Sequence, residues 1–251
     1  MKHPIRAALA ALCALALVLA GCSAGQNSGP ASSAPVEVEF GTRPARTPHP
    51  SAEPAAEPAA ASAPTQEPAP EPGPSIEVID GITYVNGILV ANKTYALPAD
   101  YNPGVDPDAQ AAFDGMAQAA ANEGLNIYIS SGFRSYDYQA GLYQRYVDRD
   151  GQAAADTYSA RPGHSEHQTG LAFDLNTISD SFANTPEGQW VAAHCHEYGF
   201  ILRYPADKVE ITGYKYEPWH LRYLGVETAT AVAESGLCLE EYLGIDSVYA
   251  E

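Results

Sequence analysis

Residues 23–75 contain almost nothing that a folded domain could bury. The stretch cycles through Glu53-Pro54-Ala55-Ala56, Glu57-Pro58-Ala59-Ala60 and Glu67-Pro68-Ala69-Pro70, with hardly an aromatic or branched apolar side chain among them. Burial on that scale cannot offset the conformational entropy lost on ordering the chain. The prolines favour extended polyproline II segments instead. The folded part of the 251-residue chain is therefore expected in residues 76–251, a length of roughly 175 residues that suits one domain with a substantial core.

What precedes that stretch reads as an export signal. Lys2, His3 and Arg6 give a basic start, and an apolar run over residues 7–20 follows, too short to span a bilayer as a stable helix. The run ends in Leu19-Ala20-Gly21-Cys22, which resembles a bacterial lipobox. The reading is a lipoprotein signal peptide over 1–21, a lipidated Cys22, and a tether over 22–75 that holds the domain outside the cell membrane of a bacterium. An ordinary cleaved signal followed by a chance cysteine is the alternative. Loss of Lys2 and Arg6 with the signal takes the net charge from −18 to about −20. So acidic a chain is a poor nucleic-acid ligand, and the expected state is a monomer. Cys13 leaves with the signal, while Cys195 and Cys238 are left either as a disulfide, which survives outside the cytoplasm, or as two buried thiols.

Along the domain, Asp80-Gly81 and Asn86-Gly87 punctuate three short apolar runs, at 76–79, 82–85 and 88–90. These are hairpin-turn signals, so residues 76–96 are expected to form a β-meander. Residues 107–122 are alanine-rich with Phe113 and Met116 at helical spacing, and residues 125–130 alternate like a strand. Residues 136–148 predict a helix whose broad apolar face holds Ala140, Leu142, Tyr143, Tyr146 and Val147. A strand over 171–175, a helix over 185–198, strands over 200–204 and 219–223, and short helices over 227–234 and 239–243 complete the pattern. Tyr143, Tyr146 and Phe173 read as core. The fold class is α+β: a small antiparallel sheet with flanking helices, preceded by the meander, with residues 97–251 as the catalytic unit.

Chemistry concentrates in Pro162-Gly163-His164-Ser165-Glu166-His167-Gln168-Thr169-Gly170-Leu171-Ala172-Phe173-Asp174, and in Glu217-Pro218-Trp219-His220 about forty-five residues later. Two histidines and one carboxylate can hold zinc and leave a position open for water, and a second glutamate can take that water's proton. A lone histidine would more readily be structural; the combined spacing argues otherwise. His194-Cys195-His196 also looks metal-like, but its histidines fall two apart in a predicted helix and do not share a face.

Four blocks resemble one family when taken together. They are Ser131-Gly132-Phe133-Arg134-Ser135 with Gln139 five residues after the arginine, Ser165 through Asp174, Gly199-Phe200-Ile201-Leu202-Arg203-Tyr204-Pro205, and Glu217 through His220. Their order and spacing resemble the VanY-type D-alanyl-D-alanine carboxypeptidases, within the wider superfamily of lysostaphin-like and D-Ala-D-Ala zinc peptidases, over residues 97–243. The resemblance implies a cleft holding Zn2+ on His167, Asp174 and His220, Glu217 as catalytic base, and Arg134 as a substrate- and oxyanion-stabilising group. It sets Gln139 and Ser165 near the substrate, and Tyr204 is expected to line the pocket. A structural ion pair is the plain alternative for Arg134, and a loop-stabilising role the alternative for Gln139 and Ser165. His164 is superfluous to the ligand set and is expected in the pocket wall or behind the ligands. The implied activity is removal of the terminal D-alanine from peptidoglycan stem peptides by a D,D-carboxypeptidase. An L,D-carboxypeptidase acting on tetrapeptide stems is the alternative within enzymes. A non-catalytic peptidoglycan-binding module is the alternative outside them, disfavoured because both Glu217 and Arg134 are present.

Overall fold

The computed structural model describes residues 73–250. The signal segment, Cys22 and most of the proline-rich stretch lie outside the described residues.

Strands β1 (Ile76–Ile79), β2 (Ile82–Val85) and β3 (Ile88–Leu89) form the expected antiparallel meander. Its turns place Asp80, Gly81, Asn86 and Gly87 at φ of 51°, 79°, 50° and 79°. Positive φ at both central positions gives the turn whose twist matches the strands it joins. Val85 and Val90 are buried with Ile201, Ala229, Val232, Leu239 and Leu243, so the meander shares a core with elements from the far end of the chain.

Helix α1 (Pro107–Asn122) starts where Asp106 accepts hydrogen bonds from the Asp108 and Ala109 amides, with proline in the first turn. Ala109, Phe113, Met116 and Ala120 form its buried stripe. After β4 (Ile129–Ser131) come α2 (Tyr136–Asp150) and α3 (Gln152–Ala155), a 3-10 turn over Glu166–Thr169, and β5 (Ala172–Leu175). Helix α4 (Pro186–His194) tightens into a 3-10 turn, Cys195–Tyr198, and is followed by β6 (Phe200–Leu202), α5 (Val209–Thr212), β7 (His220–Tyr223), α6 (Val226–Ser235) and α7 (Leu239–Leu243).

The second sheet runs β4-β5-β7-β6, antiparallel throughout. Ser131 pairs with Asp174, Asp174 with His220, and Phe173 with Leu221. Side chains alternate across a strand. Phe173, Leu175, Trp219 and Leu221 therefore enter the main core with Phe113, Met116 and Phe200, while Asp174 and His220 share the other face. The Phe113 and Phe173 rings meet edge to face at 6.0 Å.

Two expectations need correction. The strand expected over 125–130 is paired only at Ile129–Ser131. Ahead of it the Asn176 side chain accepts from the Tyr128 amide at 3.1 Å and donates to the Asn126 carbonyl at 2.8 Å, replacing the ladder. The apolar face of α2 is half-buried rather than core. Its Tyr143 hydroxyl donates to Asp156 at 2.6 Å, and Tyr146 meets Tyr158 edge to face at 5.2 Å, so this face packs on the loop that follows. Cys195 and Cys238 are both free and buried.

Candidate active site

The β5–β7 register sets two of the site's side chains next to each other. Asp174 Oδ1 lies 3.1 Å from His220 Nδ1, and Asp174 Oδ2 lies 3.2 Å from His167 Nε2. His167 is carried by the 3-10 turn, whose end at Gly170 takes φ of 78°. A Cβ there would sit 2.1 Å from the Gly104 carbonyl oxygen, which is why a glycine closes the turn. The two imidazoles stand nearly perpendicular, at 89°, with centroids 4.9 Å apart. One donor atom from each of His167, Asp174 and His220 falls within 4.8 Å of the others.

The protonation of His167 follows from its other nitrogen. Nδ1 lies 2.7 Å from the Gly132 carbonyl oxygen, and a carbonyl only accepts, so Nδ1 carries the hydrogen and Nε2 presents a lone pair. Burial, reinforced by the Arg134 charge, holds this imidazole down at about 4 and keeps it neutral. Its Nε2 lone pair thus faces a carboxylate oxygen that has no proton to give. His167 Nε2 and Asp174 Oδ1 are buried and have no hydrogen-bond partner. Acceptors so placed are unfavourable unless a cation lies among them. The donor set, two imidazole nitrogens and a carboxylate, suits a divalent metal of the zinc type with room for a further ligand.

His220 sits in a different field. Burial opposes its charged form, but the neighbouring Asp174 and Glu166 carboxylates, with the Glu217 charge beside them, push it up to about 9. The site therefore gathers negative charge around this ring, as a cation-binding group should. Glu217 reaches it from the turn before β7, with its carboxylate 3.7 Å from His220 Nδ1 and the His220 amide donating to the Glu217 carbonyl at 3.1 Å. Burial pushes the Glu217 carboxyl up to about 7; Asp174 adds to this and His220 opposes it. That range fits a group which accepts and returns a proton near neutral pH.

Arg134 Nη1 donates to Asp174 Oδ2 at 3.2 Å and to Ser131 Oγ at 3.1 Å, and its amide donates to the His167 carbonyl at 3.1 Å. It is thus ion-paired to a member of the metal-binding group while still lining the cleft. The cleft has a volume of about 170 Å³, and Ser165, Tyr204, Trp219, Tyr214, Leu142 and Tyr146 contribute to its walls. Tyr146 therefore faces the cleft and not the core. The Tyr204 ring packs at a tilt against both His220, at 4.9 Å and 51°, and Tyr214, at 4.7 Å and 48°.

Gln139 is fully buried behind this wall. Its Nε2 donates to the Ala160 carbonyl at 2.7 Å and contacts Ser159 Oγ at 3.4 Å, so it braces two residues that line the cleft. His164 turns away from the metal-binding group, with Nδ1 2.8 Å from the Asn92 carbonyl oxygen and its ring edge-to-face with Tyr249. His194 pairs with Glu197 at 3.0 Å on the surface. Sequence reasoning gave no role to Glu166, although it lies inside the richest motif; it is buried, with its carboxylate turned to His220.

The sequence matches the family described as VanY, D-alanyl-D-alanine carboxypeptidase, over residues 102–226. A D-alanyl-D-alanine carboxypeptidase of Enterococcus faecalis is 34% identical over 181 residues, covering 63% of this chain and 66% of the relative. Among solved structures, the LD-carboxypeptidase LdcB, from work on peptidoglycan recognition, is 46% identical with a TM-score of 0.64, covering 70% of this chain and 98% of that one. A variant of the vancomycin-resistance D,D-pentapeptidase VanY in complex with Zn(II) is 36% identical with a TM-score of 0.55, covering 61% of this chain and 97% of that one. Fold, site and sequence agree: the chain belongs to the VanY family of D-alanyl-D-alanine carboxypeptidases.

Proposed function

We propose that this chain is a zinc-dependent carboxypeptidase that removes the terminal D-alanine from peptidoglycan stem peptides, held outside the membrane by a lipid on Cys22. The observation that carries the reading is the facing pair of acceptors, His167 Nε2 and an Asp174 carboxylate oxygen 3.2 Å apart, with His220 completing a group whose buried lone pairs call for a cation. His167, Asp174 and His220 would hold the metal. Bound zinc supplies Lewis acidity, polarising a peptide carbonyl and making water acidic enough to react near neutral pH. The chain's own groups do the rest. Glu217 takes a proton from water on its buried carboxylate and returns it to the departing amine of D-alanine. Arg134 offers a fixed guanidinium to the oxyanion that develops on the scissile carbonyl, and Ser165 and Tyr204 shape the wall against which the stem peptide lies. No acyl-enzyme forms on this route, so β-lactams have no serine to trap.

The stronger likeness to LdcB favours tetrapeptide stems, an L,D-cleavage. The D,D-cleavage expected from the sequence becomes the second reading, supported by the family match and the VanY likeness. Tetra- and pentapeptide stems offered side by side to zinc-loaded enzyme separate the two. A higher kcat/KM for D-alanine release from the tetrapeptide is expected. Preference for the pentapeptide would establish the D,D reading, and hydrolysis of neither would overturn the carboxypeptidase assignment.

A further inference from the structure

The structure assigns Glu166 a role in positioning His220, so that Nδ1 is presented to the metal-binding group. The assignment rests on the zinc reading above and extends it to residues that do not touch the metal.

Glu166 has two oxygens with two different duties. Oε1 accepts from Arg203 Nε at 2.7 Å and from Arg222 Nη1 at 2.9 Å. Held from both sides, the carboxylate has one orientation, and it aims Oε2 at His220 Nε2, 3.6 Å away. Those two atoms are buried, and neither has a hydrogen-bond partner elsewhere. Both His220 nitrogens face carboxylates, Asp174 Oδ1 at 3.1 Å from Nδ1 and Glu166 Oε2 at 3.6 Å from Nε2; with a cation held by the group, Nδ1 supplies its lone pair, the ring hydrogen stays on Nε2, and Glu166 is the acceptor it faces. The chain thus fixes both histidines by opposite means. The Gly132 carbonyl accepts a hydrogen bond from His167 Nδ1 and leaves its Nε2 free, whereas Glu166 faces the Nε2 hydrogen of His220 and leaves its Nδ1 free.

The holder is itself held. Arg203 forms a two-pronged contact with Glu240, at 2.7 and 2.5 Å, and Asn92 donates to the same carboxylate at 3.2 Å. Arg222 donates to the Leu89 carbonyl at 2.6 Å. Leu89 belongs to the meander, Asn92 follows it, and Glu240 lies on α7, so both ends of the domain bear on one ligand. Glu166, Arg203, Arg222 and Glu240 are each about 1% exposed. Well-packed apolar residues usually stabilise a core at least as well as such charges, so stability alone does not account for this cage. An oriented acceptor for His220 does.

The test uses the full chain with Glu166→Asp, which keeps the charge for both arginines but draws the carboxylate back, and Glu166→Gln, which removes the charge at nearly constant shape. Zinc affinity is measured by competition with a chromogenic chelator, and the geometry of the site by the visible spectrum of the cobalt-loaded protein. Zinc affinity is expected to fall about 10–100-fold in each variant, with an altered cobalt spectrum and a cooperative melt. Wild-type affinity and spectrum in both variants would overturn the assignment. A variant that unfolds without metal and is restored by zinc supports it, because metal and cage are then coupled. A variant that zinc cannot restore marks the cage as structural only and overturns it. A wild-type chain that binds no zinc would instead refute the reading of the site itself.

Discussion

Asp174 and His220 are direct cross-strand partners in the centre of the four-stranded sheet, with Oδ1 and Nδ1 3.1 Å apart. Strand pairing, not a flexible loop, sets their spacing. A one-residue slip of either strand would turn its side chain into the core, so the register that builds the hydrophobic layer also builds two members of the candidate metal-binding group.

Zinc bound to this group would stabilise the folded state alone, because His167, Asp174 and His220 are brought together only by folding. At a free zinc concentration one hundred times Kd, the gain is about 2.7 kcal/mol. For a domain of this size that corresponds to a rise in Tm of about 5–10 °C. Asp174→Asn removes the anionic ligand at nearly constant shape, and should abolish the zinc-dependent rise while leaving a cooperative apo melt. Differential scanning calorimetry with and without zinc reads both. A full-sized zinc response in the variant would exclude Asp174 as a ligand.

As the proposed base, Glu217 would separate chemistry from metal binding. Its carboxylate is buried 3.7 Å from His220 Nδ1, with no side-chain hydrogen bond among the described residues, so it is placed for proton transfer. Glu217→Ala should lower kcat by about 10²- to 10⁴-fold, with zinc still bound at one equivalent per chain. Stoichiometry by atomic emission and turnover on a stem peptide are the two measurements. Unchanged kcat would remove Glu217 from the mechanism.

Much of this arrangement is legible in the sequence because it is local. The Asp80-Gly81 and Asn86-Gly87 turns, the capped helix at Pro107–Asn122 and the short helix at Leu239–Leu243 are each encoded within a few residues. So is the motif that supplies His167 and Asp174. The missed features depend on distant partners. Asn176 ends one strand and, fifty residues back in the chain, satisfies the Asn126 carbonyl that a ladder would otherwise have used. Glu166 is legible as a site residue only once Arg203 and Arg222 are known to converge on it, and nothing in the turn around it announces burial. Gln139 follows the arginine at the expected spacing, yet its amide is spent on the Ala160 carbonyl.

His164 tests the distinction between the two histidines of the motif. It is three residues from His167, but its Nδ1 is committed to the Asn92 carbonyl and its ring to Tyr249. His164→Ala should leave zinc affinity unchanged, whereas His167→Ala should eliminate tight binding. Equal losses in the chelator competition would place His164 among the ligands.

On the proposed reading, a lipid on Cys22 would hold the enzyme at the membrane. With the wild-type chain expressed in a bacterium that processes lipoproteins, the mature protein should fractionate with membranes and incorporate labelled palmitate. Cys22→Ser should yield unlabelled protein, outside the membrane fraction. Membrane recovery of the serine variant would remove the lipid anchor from the proposal.

Gly170 links backbone conformation to the ligand set. It ends the turn carrying His167 at φ of 78°, its carbonyl accepts from the Asp106 amide at 3.0 Å, and an added Cβ would lie 2.1 Å from the Gly104 oxygen. Alanine is opposed twice here, by the left-handed conformation and by a backbone atom that cannot rotate away. The positive φ alone destabilises by more than about 1 kcal/mol, and the clash adds to it by forcing apart the turn and the segment entering α1. Because that displacement moves His167 relative to Asp174, Gly170→Ala should lower both the apo Tm and the zinc affinity. Gly124→Ala, also at positive φ but with nothing within 4 Å of its added Cβ, serves as the comparison and should lower Tm alone. Parallel melts and chelator competitions on the two variants read the difference; equal zinc affinities would show that the turn holds His167 independently of its packing against Gly104.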